Sequence, residues 1–168
     1  MNHEETTFSI VLVIATFLCS LVTGLLYTFA LIVMPGIGEL DDGEYIRDFQ
    51  KMDGIIQNNH PLILLVWVGS ILTLLAAAGL GMQQVTGSDR ILLIAATGIY
   101  ICFVHLPTFR FNIPLNNKLQ SFHVASMNED EQHTARAAFE PNWNRWNIIR
   151  TGFACLVTVL LLILLSQQ

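Results

Sequence analysis

The sequence predicts an all-α fold: an integral membrane four-helix bundle with short amphipathic helices in its two long loops. Three observations lead there. The 168 residues are 53% hydrophobic and only 12% charged, and the mean hydropathy is +0.55, too apolar and too poor in charge for a water-soluble domain of this length. Four apolar runs free of Asp, Glu, Lys and Arg approach or exceed the roughly 20 residues that cross a hydrocarbon core of about 30 Å. The remaining polar residues gather mainly in two segments, 35–60 and 110–145.

The first span is read at 8–34. A cleaved signal peptide is the rival reading, but MNHEETT is acidic where an n-region is basic, and no small-residue cleavage site closes a short apolar core. The second span runs over 61–85, with Pro61 in a first turn where its missing N–H costs nothing. A turn carrying Thr86, Gly87, Ser88 and Asp89 leads to the third, 91–109. The fourth is 147–165, apolar from Thr151 onward and long enough once Asn147 to Arg150 are drawn into the membrane edge. Trp143 and Trp146 then fall at the interface that indole rings favour. No repeat or low-complexity linker divides the chain, so 1–168 is read as one domain.

With four spans, both polar segments lie on one side. Tyr45, Phe49, Met52 and Ile56 recur at helical spacing in the first, which predicts an amphipathic helix near the bundle mouth. The second is expected to hold two short helices. One starts near Pro114 with Leu115, Leu119 and Phe122 on a face; the other starts at Asn128, where Glu129, Asp130 and Glu131 suit the helix dipole. Two small-residue stripes, Thr16–Ser20–Gly24–Thr28 and Gly69–Thr73–Ala77–Gly81, are read as packing seams of a compact bundle and are compatible with a homodimer. Arg47, Lys51, Arg110, Lys118, Arg136, Arg145 and Arg150 lie on the loop side against Arg90 on the other, which places the long loops in the cytoplasm and the termini outside a cell membrane. A net charge of −5 without a basic run excludes a nucleic-acid partner. Cys19, Cys102 and Cys155 lack CxxC spacing and are read as small buried apolar residues.

One stretch departs from this apolar plan: TFRFNIPLNNKL, residues 108–119. Polar side chains in or near hydrocarbon are costly unless paired, so Arg110, Asn112, Asn116, Asn117, Asn147 and Arg150 are expected to converge at the bundle mouth. Pro114 biases Ile113 away from helix, which predicts a sharp re-entry from the third span into a loop helix. The alternative is that these residues only cap helix ends and snorkel to headgroups.

TFRFNIPLNNKL, followed some thirty residues later by WNRWNIIR, resembles the anthrone-oxygenase-like family of small four-helix membrane proteins. GLLYTFALIVMPGIGEL and FQKMDGIIQNNHP are similar to the same pattern. The resemblance implies oxidation of an anthrone to an anthraquinone by dioxygen without a recognised metal or flavin, with Asn112, Pro114, Asn116, Trp143, Asn147 and Arg150 as motif positions. Such chemistry needs a base, a clamp for an oxyanion and a dry aromatic pocket. His105 is the first candidate base, because imidazole titrates near neutrality, and His60 the second. Asn116 and Arg150 are the expected clamp. Trp143, Trp146, Phe109 and Tyr27 are candidate walls, and Asn112, Asn147 and Arg110 join them in the expected binding site for a lipophilic aromatic or quinol-like molecule.

No metal or other cofactor is predicted: His60, His105, His123 and His133 form no i, i+4 pair, and HExxH, GxSxG, GxGxxG and the P-loop pattern are absent. The competing reading is a non-catalytic accessory or ligand-binding membrane subunit whose acidic turn at 129–131 docks a partner.

Overall fold

A computed structural model describes residues 3–58 and 60–168, and the described residues are all-helical, with no strand. Helix α1 is His3–Gly38, α2 Asp42–Gln57, α3 Pro61–Gln84, α4 Gly87–Gln120 and α5 Glu129–Leu165. All but α2 are long and apolar enough to cross a membrane, which makes this a multi-pass membrane protein.

Local chemistry sets the helix starts. The Asp41 side chain accepts from the Glu44 amide at 2.7 Å and opens α2. Asn128 and Glu131 form a reciprocal capping box that opens α5. Gly87, with φ of 56°, turns the chain tightly between α3 and α4, where a side chain would be strained.

Three prolines shape the rest. Proline has no N–H, and within an α-helix its ring collides with the carbonyl four residues back. The chain answers with widened π turns at Phe29–Val33, Tyr100–His105 and Thr108–Asn112. Each ends two residues before a proline: Pro35, Pro107 and Pro114. In each the ladder slips by one residue, so that the amides of Met34, Leu106 and Ile113 donate to the carbonyls of Phe29, Ile101 and Thr108. The helix therefore survives its prolines. This overturns the expected re-entry at Ile113, which is helical at φ −61°, ψ −47°. The third span continues to Gln120, and the first runs past Pro35 to Gly38.

The two short helices expected after residue 110 do not exist as separate elements. The first is the end of α4, and the second is the start of the 37-residue α5, which also contains the fourth span. Only a 3-10 turn, Val124–Ser126, lies between them. Helix α2 is the one separate loop helix among the described residues, and it is rotated from the expected face. Tyr45, Ile46, Phe49 and Asp53 are buried, while Ile56 is exposed.

The core has two layers. Phe8, Leu12, Cys19, Leu74, Leu93 and Leu161 fill the membrane layer, and Met34, Tyr45, Phe49, Leu119, Phe139 and Trp143 fill a layer under α2. Arg136 ties the second layer to the end of α1, donating to the carbonyls of Gly38 (2.7 Å) and Leu40 (2.9 Å) with its guanidinium over the Tyr45 ring. The stripe on α3 does face the bundle, but the one on α1 is only partly the seam: Gly24 and Thr28 are exposed, and Leu12, Ala15, Cys19 and Val22 pack instead. Cys102 is likewise exposed, contrary to expectation, because its stretch of α4 faces outward.

A Cβ at Gly81 would run into Leu93 and Phe8, both fully buried, whereas one at Gly79 meets nothing within 4 Å. Gly81→Val is expected to cost about 1–3 kcal/mol by overpacking, read as a lower melting temperature in detergent. Gly79→Val is expected to melt like the parent, and equal melting of both variants would contradict this packing.

Candidate active site

The end of the bundle that α2 covers encloses a cavity of about 400 Å³, inside the roughly 300–1,000 Å³ of small-molecule sites. Leu26, Phe29, Phe49, Ile63 and Trp67 give it an apolar wall, and Asp53, Thr108, Asn112, Asn116, Asn147 and Arg150 a polar one.

The polar wall is a hydrogen-bonded lattice spanning α1, α2, α4 and α5. Arg150 donates to Thr108 Oγ1 at 2.8 Å and to Asn147 Oδ1 at 2.9 Å. Asn147 in turn donates to the Leu26 carbonyl at 3.2 Å, on the turn of α1 next to its π segment. The Trp143 indole N–H donates to Asn116 Oδ1 at 2.7 Å, and Asn116 Nδ2 donates to Asp53 Oδ1 at 2.7 Å. Trp143 is held between Phe29 and Phe49, ring centroids 5.8 and 5.4 Å away.

Asp53 is the carboxylate of the cavity. It is 3% exposed and receives two further amides, from Gln57 (2.7 Å) and Gln120 (3.0 Å). Burial pushes its carboxyl above the usual range, and the amide donors Gln120, Asn116 and Gln57 pull partly the other way. Among the described residues, two buried atoms of the cavity lining have no protein partner: Asn112 Oδ1, an acceptor, and Arg150 Nε, a donor.

Of the residues expected to form a site, Asn112, Asn116, Trp143, Asn147 and Arg150 line this cavity together, with Phe109 at its edge. Five others lie elsewhere. His105 precedes the lining turn of α4 and is buried edge-on against Trp67 and Tyr100, at 5.3 and 4.6 Å. The π turns on either side of Pro107 set its direction apart from that of Thr108 and Asn112. His60 is exposed at the start of α3, in a separate groove. Arg110 is exposed over the Phe111 ring, and Trp146 stacks on that same ring at 3.8 Å. Tyr27 is half exposed on the outer face of α1. Trp143 itself is buried rather than interfacial.

Sequence reasoning missed Asp53, Thr108 and Trp67. For Asp53 a signal existed: it follows Tyr45 and Phe49 at spacings of four, on the buried face of α2. Thr108 and Trp67 resemble ordinary span residues and carry no signal.

The family model for anthrone oxygenase matches residues 55–160. The chain belongs to the anthrone oxygenase family. No curated protein and no solved structure matches it. The anthrone oxygenase match takes in α3, α4 and α5 as far as residue 160, and with them Thr108, Asn112, Asn116, Trp143, Asn147 and Arg150. Asp53 lies two residues before it.

The bond from Trp143 to Asn116 joins α5 to α4 inside the cavity. A double-mutant cycle of Asn116→Ala and Trp143→Phe, read by thermal unfolding in detergent, is expected to give a coupling of about 0.5–3 kcal/mol. Strict additivity would show that this bond does not hold the wall.

Proposed function

We propose that the protein is an oxidoreductase that oxidises a lipophilic aromatic ketone of the anthrone type with dioxygen inside this cavity. The observation that supports this reading most directly is a carboxylate, Asp53, and a guanidinium, Arg150, on the walls of one mostly apolar cavity, in a chain of the anthrone oxygenase family. Asp53 takes the role of base first considered for His105, because it lines the cavity and His105 does not.

Asp53 removes a proton from the CH₂ that the ring carbonyl acidifies, and the oxygen of the resulting enolate accepts a hydrogen bond from Arg150 Nε. The electron-rich anion passes electrons to dioxygen, and a C–O bond forms to give a hydroperoxide. Loss of the second C–H proton with cleavage of the O–O bond yields the new carbonyl and one water. The four electrons removed from the CH₂ thus reduce one dioxygen, with one oxygen in the product and one in water. Aromatic walls keep bulk water from the anion.

The polar segments are proposed to face the cytoplasm. Arg150 and Arg136 are bound within the protein and carry no topological weight. Arg47, Lys51, Arg110, Lys118 and Arg145 still outweigh Arg90 on the other side.

Oxygen uptake and quinone absorbance with anthrone as probe, corrected for uncatalysed autoxidation, test the reading. Asp53→Asn is expected to lower turnover about 10²–10⁴-fold. Arg150→Lys is expected to lower it roughly 10²-fold, since an ammonium does not reproduce the guanidinium fork. Turnover at the parental rate by a folded Asp53→Asn variant would remove Asp53 from the mechanism.

The base acts when deprotonated, so the rate should rise with pH through an apparent pKa above that of an ordinary carboxylate, given the direction in which burial moves Asp53. The measurement is the pH profile of kcat/KM for anthrone. A midpoint at or below the ordinary carboxylate range would contradict the assignment.

A further inference from the structure

Toward α2 and α5 the cavity is lined by Asp53, Asn147 and Arg150 together with Phe49 and Trp143, but its side between α3 and α4 is different. Leu64 and Val68 of α3 and Phe109 and Ile113 of α4 line the cavity and are also exposed at the outer surface. Their neighbours Leu65, Leu72 and Leu106 are exposed too, and all belong to helices apolar enough to cross the membrane. The rim is therefore built from the apolar surface that spanning helices turn to lipid chains. Farther along, α3 and α4 close on each other: Tyr100 donates to Ser70 Oγ at 2.9 Å, and His105 packs on Trp67.

Inside, the two unpartnered atoms ask for a ligand of definite polarity. Arg150 Nε–H offers a donor and Asn112 Oδ1 an acceptor, on side chains that are 4% and 2% exposed. Leaving such groups without partners in a dry site is costly; a carbonyl or hydroxyl oxygen of a bound molecule satisfies the Arg150 donor, and a hydroxyl also donates to Asn112 Oδ1. The polarity thus runs from a hydrogen-bonding depth to a hydrocarbon rim.

We infer that the cavity is loaded sideways from the bilayer through a mouth between α3 and α4, and that its ligand is an amphiphile, with a polar aromatic head at Arg150 and an apolar end left among the lipid chains. The inference rests on the proposed function only for the site of the head; the mouth and the tail are additional. A tail that never leaves the lipid neither gains nor loses by binding. On a scale of concentration within the lipid, head affinity should then be independent of tail length.

The test uses the full chain in dioleoylphosphatidylcholine vesicles. The probes are tetramethylbenzoquinone and its analogue with one methyl replaced by decyl, read by quenching of the tryptophan fluorescence that Trp67 and Trp143 contribute from the cavity wall. Both quinones are expected to bind within about threefold of each other on the lipid scale. Narrowing the mouth with Val68→Phe plus Ile113→Phe should weaken the decyl compound at least tenfold and the methyl compound much less. Leu75→Phe, on the lipid face of α3 outside the cavity, should change neither. Arg150→Met, checked for folding by its melting curve, should weaken both.

Tenfold or greater exclusion of the decyl compound from the parent protein would mean a closed cavity and overturn the inference. So would failure of both probes to bind, or binding indifferent to the mouth variants. Because no turnover is needed, the two readings fail separately. Binding as expected with no oxygen uptake from anthrone sinks the oxidase reading alone, and anthrone turnover with the decyl compound excluded sinks the lateral mouth alone.

Discussion

Within hydrocarbon, every polar group must be satisfied by the protein itself, and most of this structure follows from how that constraint is met at Arg150. A guanidinium that is 4% exposed inside a bundle cannot snorkel to a headgroup. Its partners come from α4, through Thr108, and from its own helix, through Asn147. Asn147 carries the lattice on to a backbone carbonyl of α1. The three helices are thereby registered to one another at the depth where α2 folds over them, and the cavity is the space this register leaves.

The backbone meets the same constraint in another way. Pro35, Pro107 and Pro114 each remove a donor from a continuing helix. The widened turn before each proline moves the mismatch by one residue and keeps the helix whole. Such a turn also rotates everything after it. On α4, two of them in succession set His105 toward the aromatic packing around Trp67 and set Thr108 and Asn112 toward the cavity. The prolines thus act as pointers for side chains more than as helix stops.

That is why the sequence was legible at one level and opaque at the next. Apolar run length and the scarcity of charge were enough for four spans, and the cost of unpaired asparagine and arginine was enough to bring Asn112, Asn116, Asn147 and Arg150 together. What periodicity could not supply was the angular slip of a π turn, so Ile113 was read as a break and His105 as facing the site. Asp53 was lost for a related reason. A charge in a polar loop helix is ordinarily solvated, and only the placement of Gln57, Asn116 and Gln120 around it makes burial affordable. Those three amides come from two helices, and no linear pattern links them.

Asp53 and Arg150 line one cavity, yet among the described residues neither has an ion-pair partner. Each is held by neutral donors or acceptors. Breaking up charges in this way is a poor route to stability, because a buried charge without its counter-charge is costly and a direct pair would lower that cost. Exposed pairs such as Lys51–Asp48 show that the chain has opposite charges meeting where they contribute little. Keeping a carboxylate and a guanidinium apart across an apolar space makes sense if something between them is to exchange a proton with the one and place developing negative charge against the other. The separation itself, more than either residue, is the feature that a purely structural bundle would lack.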